Sequence, residues 1–508
     1  MATTRAPLPR FPRDFLWGVS TSAHQIEGAA DERGPSVWDA FTALPGTVKD
    51  GTTAAVACDH VRRYREDVAL IRDLGVGAYR FSVSWPRVLP RGTGEVSERG
   101  LDFYDRLVDE LCAAGVRPVP TLFHWDTPLA VAEAGGWLVR DTAHRFAEYA
   151  AVVAARIGDR VPKWITLNEP AEHTLLGHAL GQHAPGQQLL FDALPAAHHQ
   201  LLGHGLAVRA LRAAGAGDIG VANSHGPTWA ASDAAADREA ADLYDVLLNR
   251  LFSDPLIAGR YPEVIAELLG AEVPDLDADL STISEPIDWY GINFYQPTKV
   301  GAPLADAAAT EFAGLTLPPE LPFSPRPISG YPTTAFGWPV VPEALTELLL
   351  TLRDRYADRL PPLIITENGC SYDGLDDQER ISYLDGHLRA LHRALEAGVD
   401  VRGYFVWSLL DNFEWAEGFA QRFGLVHVDY ATQRRTPKAS ASFPVIRSLG
   451  SPFSWTNESG TGASASSRRT RRYEKLGATA LTTGASIRRT RITCCMRRQR
   501  SSRISSPG

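Results

Sequence analysis

Apolar residues follow two alternating rhythms along this chain. Short runs rich in apolar and β-branched residues recur as "FLWGVST" (15–21), "GAYRFSVSW" (77–85), "RPVPTLFHW" (117–125) and "KWITLNE" (163–169). They continue as "DIGVANS" (218–224), "IDWYGINFY" (287–295), "PLIITEN" (362–368) and "GYFVWSLLD" (403–411). Several lack the apolar–polar alternation of a half-exposed strand, as strands covered on both faces should. Between them lie amphipathic stretches. Val61, Tyr64, Val68, Ile71 and Leu74 recur at helical steps before Gly75, which predicts a helix over 59–75. Leu101, Tyr104, Leu107, Val108 and Leu111 do the same before Gly115, and similar patterns occupy 141–157, 198–213, 237–252, 342–357 and 376–397. Eight strands alternating with helices predict an α/β protein built as a single (β/α)8 TIM barrel. An open doubly wound sheet is the alternative. If it bound a nucleotide it would carry a phosphate-cradling glycine-rich turn after the first strand, and "STSAHQIEGAA" is not one.

Two connections are long, 170–197 and the proline-rich 301–338. Long ordered loops in a compact domain usually carry function, and in a barrel they would wall the active face. The expected division is an N-terminal arm over 1–10, the barrel over 11–447 and a separate tail over 448–508. The net charge of −9 hides an asymmetry. Residues 451–508 hold 12 Lys and Arg against 2 Asp and Glu, whereas the rest holds 39 against 58. The acidic globular part argues against broad nucleic-acid binding. The Ser/Thr/Arg-rich tail lacks periodicity and reads as disordered, with a shifted reading frame as its suggested origin. A basic arm for nucleic acid or a membrane surface is the weaker reading. "MATTRAPLPRFPRDF" has no apolar signal region, and no apolar run is long enough to span a bilayer. Cys58, Cys112, Cys370, Cys494 and Cys495 show no disulfide spacing and read as free thiols. A cytoplasmic protein is therefore expected.

Chemistry on a barrel sits where the strands end. The first strand leads to Gln25 and Glu27, the third to His124, Trp125 and Asp126, and the fourth to Asn168 and Glu169. The sixth leads to Asn293 and Tyr295, and the seventh to Glu367 and Asn368. The eighth leads to Trp407 and Asp411, followed by Asn412, Glu414 and Trp415. Acids, amides and indoles suit a neutral polyol better than an anion. A metal site fits poorly, because His24 stands alone and His198-His199 read as surface residues opening a helix. Lys299 reads as a solvated loop lysine rather than a Schiff-base former. No G-x-S-x-G elbow occurs, and no metal or cofactor is expected. A lone Glu is more often a cap or surface acid. Glu169 and Glu367, however, each end an apolar strand beside an amide, which makes them the natural pair.

"FLWGVSTSAHQIEGA", "FHWDTP", "TLNEP", "YGINFY", "ITENG" and "WSLLDNFEWAEGFAQRFGLVHVDY" together resemble the family 1 β-glycosidases, (β/α)8 glycoside hydrolases of clan A, over about residues 11–442. The resemblance implies a retaining mechanism, with Glu367 as nucleophile and Glu169 as general acid/base. The charge of Glu367, with partial desolvation, should keep Glu169 protonated. By the same resemblance Tyr295 donates a hydrogen bond to Glu367, and Asn168 binds the sugar 2-hydroxyl. Gln25, His124, Trp125, Asn293, Trp407, Glu414 and Trp415 match the sugar-binding positions. Trp338 and, less firmly, Asn223 match the aglycone side. At the positions where phosphosugar-specific members hold phosphate stand Glu414, Gln421 and Phe423. Glu414 would repel a phosphate rather than bind it, so the expected ligands are unphosphorylated β-glucosides or short oligosaccharides, with galactosides and fucosides open.

His24 departs from the Tyr frequent in the family, and "KASASFPVIRSL" (438–449) lacks the Trp-Tyr pair of its closing helix. A sugar-binding pseudoenzyme on the same fold would lack one of the two glutamates, and both are present. A predominantly transglycosylating enzyme would depend on water exclusion at the aglycone side.

Overall fold

A computed structural model of the chain describes residues 6–270, 272–304, 310–312 and 315–443. The eight expected strands form a closed barrel: β1 (Leu16–Ser20), β2 (Ala78–Ser82), β3 (Arg117–Phe123), β4 (Trp164–Asn168), β5 (Ile219–Ser224), β6 (Trp289–Asn293), β7 (Leu363–Asn368) and β8 (Val401–Trp407). All neighbours are parallel. The ring closes through β1 and β8, from Leu16 opposite Gly403 to Ser20 opposite Trp407. Closure thus rests on strand pairing, whatever replaces the expected closing helix. Ala439–Ser442 form only a short 3-10 turn, and residues 444–508 lie outside the described residues.

The crossovers follow the amphipathic stretches: α1 (His60–Leu74), α2 (Glu98–Ala113), α3 (Asp141–Ile157), α4 (Leu194–Ala213), α5 (Ala235–Asp245), α6 (Pro342–Tyr356) and α7 (Gln378–Glu396). Three expectations change. The stretch 237–252 does not form one helix, because α5 gives way to a π-helical turn at Val246–Arg250. The connection 301–338 is not simply a loop, since Ser324–Arg326 pairs with Thr298–Gly301, and Thr310–Phe312 pairs with Leu315–Leu317. His198 and His199 are buried rather than on the surface. Their helix starts earlier, is apolar on most faces, and packs between α3 and the helix Leu276–Ile283. His198 bonds to Tyr261 and Asp279, both at 3.0 Å, so its polarity is met internally. Among the described residues, no helix is long and apolar enough to cross a membrane.

Each barrel strand contributes one residue to a single apolar cluster: Leu16, Ala78, Val119, Ile165, Ala222, Trp289, Ile364 and Phe405. This cluster fills the barrel below its active mouth. Its two large rings fit because glycine faces them. A Cβ on Gly220 would lie 2.5 Å from the Trp289 ring, and one on Gly18 would lie 2.3 Å from Phe405. Gly220→Val should therefore destabilise the barrel by about 1–3 kcal/mol through overpacking. Gly217→Ala, where a Cβ meets nothing within 4 Å, should stay within about 0.5 kcal/mol. Equal denaturation midpoints for the two variants would contradict this account of the plug.

Candidate active site

Above the plug, the barrel turns polar. Arg80 on β2 is 1% exposed. Its guanidinium donates to the Glu367 carboxylate, to Thr366 O at 3.1 Å and to Thr121 Oγ1 at 3.3 Å. It also donates to Asn168 Oδ1 at 2.5 Å. Asn293 Nδ2 donates to the same Asn168 oxygen at 3.0 Å, and Thr366 Oγ1 donates to Asn293 Oδ1 at 2.6 Å. This fixes the Asn168 amide, whose Nδ2 faces Glu169 Oε2 at 3.0 Å and His124 Nε2 at 3.1 Å. The imidazole must accept through Nε2, so Nδ1 carries the proton. Burial first, and Arg80 second, hold the His124 pKa well below its usual value. The ring is neutral, with one donor left to offer.

Two ladder irregularities set which way the carboxyl groups face. The β4–β5 register shifts between Ile165 and Asn168, and the β7–β6 register between Ile365 and Glu367. Such bulges re-aim side chains. Glu169 then follows β4 with φ of 44°, and Trp125 and Trp415 are also left-handed, with φ of 72° and 53°. Non-glycine residues hold this conformation at a cost of about 1–3 kcal/mol each, so the surrounding contacts must fix them.

Glu169 and Glu367 line one cavity of about 610 Å³ and are 5% and 3% exposed. Burial is the largest influence on both and pushes both pKa values up. For Glu169 the charge of Glu367 and then that of Glu172 add to the rise, which ends well above the usual range. Desolvation therefore outweighs the neighbouring charge, reversing the emphasis expected from sequence. For Glu367, Arg80 opposes burial most strongly, followed by the hydrogen bond from Tyr295 Oη to Oε2 at 2.6 Å. The ordering is what matters: Glu169 keeps its proton to higher pH than Glu367.

The same wall carries His124, Trp125, Trp407, Glu414, Trp415 and Phe423. His124 stacks near Trp407 and Trp415 at centroid distances of 5.8 and 5.9 Å. Trp338 also lines the cavity, 5.3 Å from the Tyr295 ring. Burial and then Glu367 push Glu414 up to about 8. Its carboxyl is therefore mostly neutral at pH 7, so the charge repulsion of phosphate expected from sequence is largely lost. The nearby cation Lys49 is paired with Glu417 at 2.5 Å, and Gln421 also bonds to Glu417.

Asn168, Asn293, Gln25 and Asn223 lie behind the wall rather than on it. Gln25 takes a hydrogen bond from Ser22 Oγ at 2.6 Å and donates to Asn412 Oδ1 at 3.1 Å and Glu414 Oε2 at 3.3 Å. It braces Glu414. Asn223 is fully buried and donates to Tyr290 Oη at 2.6 Å. Other strand-end polar residues serve the scaffold. Glu27 pairs with Arg87 at 2.7 Å, Asp411 with Lys438 at 2.7 Å, and Asn368 bonds to Tyr404 and Tyr383. Asp126 is buried and burial raises its pKa to about 8. Among the described residues, no cluster of three or more His, Cys, Asp or Glu could hold a metal ion.

Sequence reasoning passed over Arg80 and Glu172. The signal for Arg80 was present, because an arginine inside an apolar strand must find a buried partner. Glu172 gave none beyond its position three residues after Glu169.

Two buried carboxyl groups of unequal acidity, walled by indoles and backed by amides above a plugged (β/α)8 barrel, fit glycoside hydrolysis. The family model for "Glycosyl hydrolase family 1" matches residues 8–446, and the chain belongs to that family. It is 45% identical over 454 residues to a β-glucosidase of Agrobacterium sp., covering 87% of this chain and 96% of that one. It is 42% identical over 451 residues to a bifunctional β-D-glucosidase/β-D-fucosidase of Bifidobacterium breve, covering 85% and 96%. The solved family 1 β-glucosidase from Thermotoga maritima superposes with a TM-score of 0.81 at 42% identity, covering 87% of this chain and 98% of that one.

Removing the Arg80 charge should raise the pKa of Glu367 further, because its largest opposing influence disappears. Arg80→Met should move the acidic limb of the kcat/KM profile to higher pH and lower the maximum by about 10²-fold or more. An unchanged acidic limb would rule out Arg80 as the group holding Glu367 ionised.

Proposed function

We propose that this chain is a retaining β-glucosidase that removes terminal non-reducing β-D-glucosyl groups, with Glu367 as nucleophile and Glu169 as acid/base. The observation that carries this reading is the unequal treatment of two buried carboxyls in one cavity. Glu367 has a guanidinium and a phenol to stabilise its anion. Glu169 has an amide and a burial that favours its proton. A retaining enzyme places such groups about 5–5.5 Å apart.

In the first step Glu367 attacks the anomeric carbon, the glycosidic C–O bond breaks, and the Glu169 proton goes to the departing oxygen. Esterification removes the Glu367 charge, which lowers the pKa of Glu169. Glu169 then takes a proton from water as the water oxygen attacks the anomeric carbon and the ester bond to Glu367 breaks. Both groups return to their starting states. The neutral His124 and Glu414 meet the sugar hydroxyls at the cavity wall, and Trp407 and Trp415 offer faces for the ring C–H groups. The bifunctional Bifidobacterium relative supports including β-fucosides. Free thiols at Cys58, Cys112 and Cys370 support a reducing, cytoplasmic setting.

Glu367→Ala should abolish turnover, and azide should restore it with an inverted glycosyl azide as product. Loss without rescue, in a protein that still binds glucose analogues, would count against Glu367 as nucleophile. Glu169→Ala should slow glucosides with poor leaving groups by about 10²–10⁴-fold while sparing glycosylation by dinitrophenyl glucoside. An equal loss across leaving groups would remove the acid role.

A further inference from the structure

A second cavity, of about 240 Å³, shares no lining residue with the catalytic one. It lies where the N-terminal halves of α1 and α2 meet the short turn Ala30–Glu32 and the helical turn Trp85–Val88. Arg62, Arg87, Arg99 and Arg106 line it, and Glu32 is the acid among them. Arg87 is 2% exposed and donates to Glu27 Oε2 at 2.7 Å and Gly28 O at 2.9 Å. Glu32 bridges Arg62 at 3.0 Å and Arg99 at 2.8 Å. Asp59 also pairs with Arg62, but it is shared with Arg63. Arg106 stands apart. The acids one helical turn from it are committed elsewhere: Asp102 to Arg156 at 2.7 Å, Asp109 to Arg160 at 2.5 Å and Glu110 to Arg65 at 3.5 Å.

Among the described residues, four guanidiniums thus face Glu27 and Glu32, which leaves two positive charges unmet. This surplus occurs in a globular part with 39 basic residues against 58 acidic ones. Helix stability does not account for it, because Arg62 and Arg99 stand in first turns, where the backbone dipole disfavours cations. We propose that this pocket is a second ligand site that takes a phosphoryl dianion, as inorganic phosphate or as the phosphate ester of a small metabolite. Guanidiniums match phosphate oxygens two at a time, and a dianion balances the two unmet charges. The buried Phe103 ring, 5.9 Å from the Arg87 guanidinium, lines the same pocket and offers an apolar surface to the carbon part of an ester.

Calorimetric titration of the full chain tests this, with inorganic phosphate in one arm and glucose 6-phosphate in the other. Ionic strength is held constant with sodium chloride, so that screening alone gives no signal. Saturable binding of one phosphoryl group per chain is expected. Arg99→Gln and Arg106→Gln should each weaken it by about tenfold or more, the worth of a charge-assisted hydrogen bond. Arg72→Gln, near the other end of α1, should leave it unchanged. Both pocket side chains are exposed, so both variants should melt with the parent in phosphate-free buffer. Tighter binding of the ester would identify a metabolite site, and equal or tighter binding of inorganic phosphate a site for the free ion. The absence of saturable binding, or an affinity unchanged in both pocket variants, would overturn the proposal.

Discussion

A desolvated guanidinium must be met by acceptors on several sides or it costs several kcal/mol, and much of this active site follows from meeting that demand at Arg80. The acceptors come from β3, β4 and β7, so one side chain cross-links the barrel at the level of the chemistry. Because Arg80 and Asn293 both claim Asn168 Oδ1, the amide cannot flip. Its NH₂ group must face His124 and Glu169, which in turn fixes the imidazole tautomer. Proton positions several residues away from Arg80 are thus consequences of its charge.

The same logic separates two chemically identical side chains. Both glutamates lose solvation, and both pKa values rise for that reason. The difference lies in what replaces the water: a cation and a phenol for Glu367, an amide and other carboxyl groups for Glu169. Glu414 shares the burial and is mostly neutral at pH 7. Near neutral pH the site is therefore close to a one-to-one balance of Arg80 against Glu367, which suits an uncharged ligand.

Much of this was legible before the structure. The apolar runs located all eight barrel strands, since strands buried on both faces show their composition directly. Glu169 and Glu367 stood out because each ended such a run. What sequence could not show was facing. The register shifts before Asn168 and Glu367 break the two-residue alternation, so no count along the strand gives their direction. Gln25 and Asn223 illustrate the same limit: both lie near strand ends, yet hydrogen bonds to Asn412 and Tyr290 draw them behind the wall. His198 was misplaced for a different reason, because Asp279 and Tyr261, its partners in burial, lie far along the chain.

The apolar plug beneath the polar mouth has a consequence for traffic. Among the described residues, Trp289, Phe405 and their six companions fill the barrel behind the cavity, which makes it a cul-de-sac. Whatever enters sugar-first must leave in the reverse order. The group released by the first bond cleavage lies between the bound sugar and the solvent, and it must clear the passage before water can follow. Direction of passage is thus imposed by two glycines and the rings they admit, well below the level at which any bond is made or broken.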